Sequence, residues 1–154
     1  MADGSGQVRG APKPGPAPTS APRTIGRFIL AAFLAFAGIA HLVRPDPFTA
    51  QVPPWFPAPE ATILISGLVE LALAAALVLA RRRLPLVGWI LAGFFVVIFP
   101  GNISQFVTGT SAFGLETDLA RGIRLLFQPV LVVWALWCTG AWRAWRAGEP
   151  ILPP

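Results

Sequence analysis

Apolar residues in this chain come in four long runs, not in the short alternating or amphipathic stretches of a soluble domain. The clearest run is Glu60 to Ala80 (EATILISGLVELALAAALVLA). At 1.5 Å rise per residue it reaches about 31 Å, the thickness of a bilayer's hydrocarbon core. Three others match it in length, and together they predict membrane helices over 24–43, 60–80, 84–107 and 121–142. The predicted fold is an all-α membrane protein, a four-transmembrane-helix bundle spanning residues 23–142.

The segments between the runs are short and distinct. Residues 1–22 are rich in Pro, Gly, Ala and Ser and are expected to be a disordered tail. A basic start before an apolar run also describes a signal peptide. The full-length run and the long segment before it favour a first membrane helix instead. Residues 44–59 (RPDPFTAQVPPWFPAP) hold six prolines, which forbid a continuous helix. Phe48, Trp55 and Phe56 among them suit a re-entrant or interfacial loop. Only Arg81, Arg82 and Arg83 separate the second run from the third, so an antiparallel hairpin of those two helices is expected. Pro100 and Gly101 interrupt the third run. Pro100 removes the hydrogen bond to the Val96 carbonyl, predicting a kink and a carbonyl in need of another partner. Residues 143–154 form the C-terminal tail.

Composition strengthens the membrane assignment. The chain of 154 residues is 55% hydrophobic and 12% charged, with mean hydropathy +0.64. A soluble domain carries about 25% charged residues. The net charge of +5 does not point to nucleic acid, because the basic residues flank the apolar runs. Nine of them (Arg9, Lys13, Arg23, Arg27, Arg81, Arg82, Arg83, Arg143, Arg146) fall on one side and three (Arg44, Arg121, Arg124) on the other. The excess marks the cytoplasmic side, so both termini are expected inside and the Pro-rich loop between helices 1 and 2 outside. Arg supplies eleven of the twelve basic residues and Tyr is absent, a composition of GC-rich genomes. The expected location is a bacterial cell membrane, crossed several times. The single cysteine, Cys138, permits neither an intrachain disulfide nor a CxxC motif. With His41 as the only histidine, bis-histidine haem within one chain is excluded.

Polar side chains within the runs carry the candidate chemistry. Glu70 lies near the middle of the second helix, where a carboxylate costs about 2.5–3.5 kcal/mol unless it faces protein or water. Ser66, Gly67 and Ala74 share its face and allow another helix to approach. His41 ends the first helix, Asn102 and Gln105 follow Pro100, and Arg124 and Gln128 share a face of the fourth. All lie in the outer half of the predicted bundle. Glu70 and Arg124 are candidates to neutralise each other, although helix rise places them about 10 Å apart in height. Arg121 is expected to snorkel to headgroups as an interfacial anchor. Two readings stay open for this cluster. It fixes helix packing, or it lines a polar cavity, open to the outer side, for a small molecule, a quinone headgroup or a partner's segment.

Five ordered segments, GIAHLVRPDPF (38–48), VPPWFPAP (52–59), ISGLVELALAAAL (65–77), FPGN (99–102) and IRLLFQPVLVVWA (123–135), resemble the DoxX/DoxD-like family of small four-helix membrane proteins. The resemblance implies that His41, Glu70, Pro100, Asn102, Arg124 and Gln128 are signature positions. It also implies a link to quinone or thiol metabolism, as in membrane subunits of thiosulfate:quinone oxidoreductases, or to cargo-receptor and assembly roles. The expected function is a non-catalytic or accessory subunit in redox metabolism, with quinone as the cofactor candidate and no metal. The expected partners are the lipid bilayer, a membrane or extracytoplasmic redox protein, and further copies of the chain, with no nucleic acid. The alternative is a structural or assembly scaffold whose polar network is purely architectural.

Overall fold

The computed structural model describes residues 20–151. The expected disordered tail, up to residue 19, and the last three residues lie outside them. The elements run α1 (Ala21–Val43), α2 (Asp46–Thr49), α3 (Pro59–Leu79), a 3-10 turn (Arg81–Arg83), α4 (Leu84–Thr108), α5 (Asp118–Cys138) and α6 (Ala141–Arg146). Four of the helices, α1, α3, α4 and α5, are long and apolar enough to cross a membrane. The chain is a multi-pass membrane protein.

Helix ends follow local chemistry and shift some expected boundaries. Pro22 sits in the first turn of α1, where its missing N–H costs nothing, so the helix starts three residues before the predicted one. Thr117 caps α5 by accepting from the Ala120 N–H at 3.2 Å, which moves that start from Arg121 to Asp118. The same helix stops at Cys138, short of Trp142. Thr139 Oγ1 donates back to the Ala135 carbonyl at 2.7 Å, and Gly140 takes φ 76°, a left-handed conformation that suits glycine. The chain then restarts as α6, so part of the expected tail is helical. Within the Pro-rich segment, Asp46–Thr49 forms one helical turn and the rest stays irregular. Pro100 lies inside α4, which runs unbroken to Thr108.

Buried side chains from the four long helices meet in one core. Leu30 and Leu34 of α1, Leu73 and Leu77 of α3, Leu91 and Phe95 of α4, and Leu131 and Ala135 of α5 belong to it. Cys138 packs there as a small buried filler. Outward-facing positions are apolar too, with Phe36, Leu79, Val97, Val107 and Leu126 each more than 70% exposed. On a soluble protein such a surface would aggregate, whereas in a bilayer it meets lipid tails.

The pairing of helices differs from the expected hairpin. α1 packs extensively on α3 and α4 on α5, while α3 and α4 touch sparsely despite their three-residue connection. A tight turn fixes closeness at one end only; small residues decide where backbones can approach. Gly38 and Gly67 supply that contact between α1 and α3. A Cβ on Gly38 would lie 2.8 Å from the Gly67 carbonyl, and one on Gly67 would lie 2.7 Å from His41 Cβ. Likewise Gly88 of α4 receives Thr139 and Ala141 at the arginine-rich end.

Candidate ligand cavity at the loop end of the bundle

Between the two helix pairs, at the end carrying the Pro-rich segment, lies a cavity of about 800 Å³. Most of its wall is apolar: Phe33 and Phe36 of α1, Ile63 of α3, Phe95 of α4 and Leu131 of α5 take part. The polar minority includes His41, Gln51, Ser66, Glu70, Asn102, Arg124 and Gln128. Six of the seven predicted pocket residues therefore meet on one cavity. Pro100 lines it as well.

Gln105 is the exception. It is 1% exposed, and its Nε2 donates to the Thr110 carbonyl at 3.3 Å, so it closes the end of α4 away from the cavity. Gln105 lies one turn beyond Asn102 on the same side of α4, and the loop that follows the helix takes up its side chain instead of the cavity.

A hydrogen-bonded chain crosses the site. Arg124 Nη2 donates to Gln51 Oε1 at 2.8 Å, and its Nε donates to Asn102 Oδ1 at 3.4 Å. Asn102 Nδ2 donates to Gln128 Oε1 at 2.9 Å, and Gln128 Nε2 to the Phe95 carbonyl at 2.6 Å. That last bond sits one residue before Val96, whose carbonyl loses its partner to Pro100. The side-chain amide thus meets α4 beside the proline, not at the freed carbonyl itself. The chain ties the loop, α5 and α4 together.

An aromatic stack runs alongside. The His41 and Phe48 rings stand edge to face at 3.8 Å between centroids, and Phe48 meets Phe113 at 4.7 Å. Phe113 in turn lies under the Arg124 guanidinium, 4.7 Å from its centre. Phe113 adopts φ 57°, a left-handed conformation that costs a non-glycine residue about 1 kcal/mol or more. The stack on both sides holds it there.

Glu70 and Arg124 do not pair. Among the described residues the one ion pair is Arg121–Asp118 at 2.8 Å. Glu70 is 6% exposed, Oε2 has no hydrogen-bond partner, and no donor among the described residues reaches its carboxyl. The difference in height between the two residues wins, because Arg124 spends its reach on Gln51 and Asn102. Arg121 is not an exposed anchor either: it is buried, bonded to Asp118 and, at 3.0 Å, to the Leu115 carbonyl.

Sequence reasoning missed Gln51 and Phe113 as site residues. A lone amide among the prolines of 44–59 was a usable signal for Gln51, since a polar group there needs a partner. Phe113, in a polar loop, gave none. No group of three or more His, Cys, Asp or Glu side chains suited to a metal ion comes together among the described residues.

No curated protein and no solved structure matches the chain. A family described as a domain of unknown function, DUF8561, matches residues 30–139. That span covers well over half of the chain and includes the whole polar cluster from His41 to Gln128, so the chain belongs to the DUF8561 family.

Proposed function

We propose that this protein is a non-catalytic, accessory membrane subunit that binds a small quinone-like molecule in the loop-end cavity and serves a redox partner. One observation carries the reading. A cavity of about 800 Å³ holds a buried carboxyl and a guanidinium that do not satisfy each other. Burying an unpartnered carboxyl is costly, and a guest that hydrogen-bonds it recovers part of that cost. The resemblance to DoxX/DoxD-like proteins supports the same direction. So does the contrast between an apolar wall, which suits a ring, and a few convergent polar groups, which suit its oxygens.

In this reading the arginine-rich end, with Arg81–Arg83, Arg143 and Arg146, faces the cytoplasm and the cavity lies in the opposite leaflet. A cysteine at position 82 should react with a membrane-impermeant maleimide only after permeabilisation. Reaction in intact cells reverses the orientation.

The decisive test is gentle-detergent purification followed by mass spectrometry of retained quinones and proteins. Retention by the wild type and loss in Glu70→Gln, with the variant still accumulating in the membrane, is the expected result. Equal retention by Glu70→Gln sinks the role of the carboxyl. The scaffold reading has its own support in the chain from Gln51 to Phe95, which the protein completes without a guest. A stoichiometric protein partner with no retained small molecule would select it.

A further inference from the structure

The structure assigns the cavity a lateral entrance from the bilayer, between α1 and α5, and a guest that is an uncharged amphiphile with its hydrocarbon chain left in that entrance. This inference rests on the reading of the cavity as a ligand site.

The entrance follows from how α1 and α5 meet. Toward the arginine-rich end they are in close contact: Trp134 Nε1 donates to the Gly26 carbonyl at 3.1 Å, and a Cβ on Gly26 would lie 2.8 Å from the Trp137 ring. Two turns further along, Phe33, Phe36 and Ala37 of α1 and Phe127 of α5 line the cavity. Phe33, Phe36 and Phe127 are also 42%, 74% and 44% exposed. Exposed lining side chains on both facing helices mark an opening between them; Val97 of α4 is exposed too, but no lining residue of α3 is. The helices that touch at Gly26 have therefore parted at this level, and the gap faces hydrocarbon.

The other way in, through the end of the bundle, is covered in part, with Trp55 and Phe56 exposed at its edge. Pro47, Phe48, Gln51, Val52 and Pro53 form the roof of the cavity. Gln51 and Pro53 are buried, and Gln51 is fastened to Arg124 and to the Pro47 carbonyl.

Head chemistry follows from the groups left over. Arg124 spends Nε and Nη2 on Asn102 and Gln51, which leaves Nη1 as a donor. Glu70 has no protein partner among the described residues. A cationic head would oppose Arg124, and any charged head would have to shed its water to pass through hydrocarbon into the cavity. A neutral head carrying a hydroxyl for Glu70 and an oxygen acceptor for Arg124 answers both. The aromatic faces of the entrance accept a saturated chain, which stays among the lipid tails.

The test uses a decyl-chain hydroquinone with a diazirine at the chain end, photolysed with the full-length protein in lipid nanodiscs. Tail-less hydroquinone is the competitor that establishes saturable binding of the head. Labelling at Phe33, Phe36 or Phe127, reduced at least about tenfold by Ala37→Trp and unchanged by Ile39→Trp on the exposed face of α1, is the expected result. Saturable labelling at Trp55, Phe56 or Val97 instead overturns the α1–α5 entrance while the ligand site stands. Absence of any saturable labelling overturns the ligand-site reading, and the entrance with it. Ala37→Trp that folds and labels like the wild type also overturns the entrance.

Discussion

The two halves of the bundle are built on different principles. Near the arginine-rich end, α1, α3, α4 and α5 close on Leu30, Leu77, Leu91, Ala135 and Cys138, all 0–1% exposed. Close approach there depends on glycines, Gly26 under Trp137 and Gly88 under Thr139 and Ala141. At the loop end the helix pairs separate around the cavity and are joined by side-chain hydrogen bonds and stacked rings. Packing in lipid is driven by van der Waals contact between small residues, because lipid tails are as apolar as the helices themselves. A half that closes by packing has no room for a guest. A half held by a polar chain can keep an opening without coming apart, and the buried, unpaired Glu70 lies in that half.

The contrast is most easily broken in the closed half. Gly88→Leu drives a branched side chain into Thr139 and Ala141, where α4 meets the start of α6. The expected loss is about 3 kcal/mol, the upper part of the range for overpacking a tight site. It should appear in denaturant unfolding in mixed micelles, together with a drop in the amount of folded protein. A loss below about 0.5 kcal/mol, the scale of ordinary surface changes, would mean that this contact does not hold the closed half together.

Much of this division is visible in the sequence. Run lengths and the missing charge give the four spanning helices. The depths of His41, Ser66, Glu70, Asn102, Arg124 and Gln128 give the polar half, and all six line the cavity. What depth alone does not carry is local capping and long-range reach. Gln105, one turn beyond Asn102, is held by the Thr110 carbonyl instead of reaching the cavity. Arg121 is close to the end, yet the Thr117 cap lengthens α5 and brings it within reach of Asp118. The α1–α3 pairing depends on Gly38 meeting Gly67, a match between distant positions that no local pattern announces. The short Arg81–Arg83 turn pointed to the wrong pair for the same reason: it reports the path of the chain, not the packing.

The smallest predicted effect is the sharpest test of the open half, because it separates two partners of one residue. Arg124 lies on the same cavity as Glu70 but donates to Gln51, 73 positions away in sequence. In a double-mutant cycle, Arg124→Leu with Gln51→Leu should show a coupling of about 1 kcal/mol, within the range for hydrogen bonds between membrane helices. Arg124→Leu with Glu70→Leu should be additive to within about 0.5 kcal/mol in protein free of added ligand, as expected for groups that share no contact. A large Arg124–Glu70 coupling would mean that the two charges neutralise each other and leave no unsatisfied pair for a guest. Adding a decyl-chain hydroquinone should then raise the Arg124–Glu70 coupling while leaving the Arg124–Gln51 coupling unchanged, since a molecule bridging the two groups makes each depend on the other. If the ligand moves neither coupling, Glu70 and Arg124 do not hold the same guest.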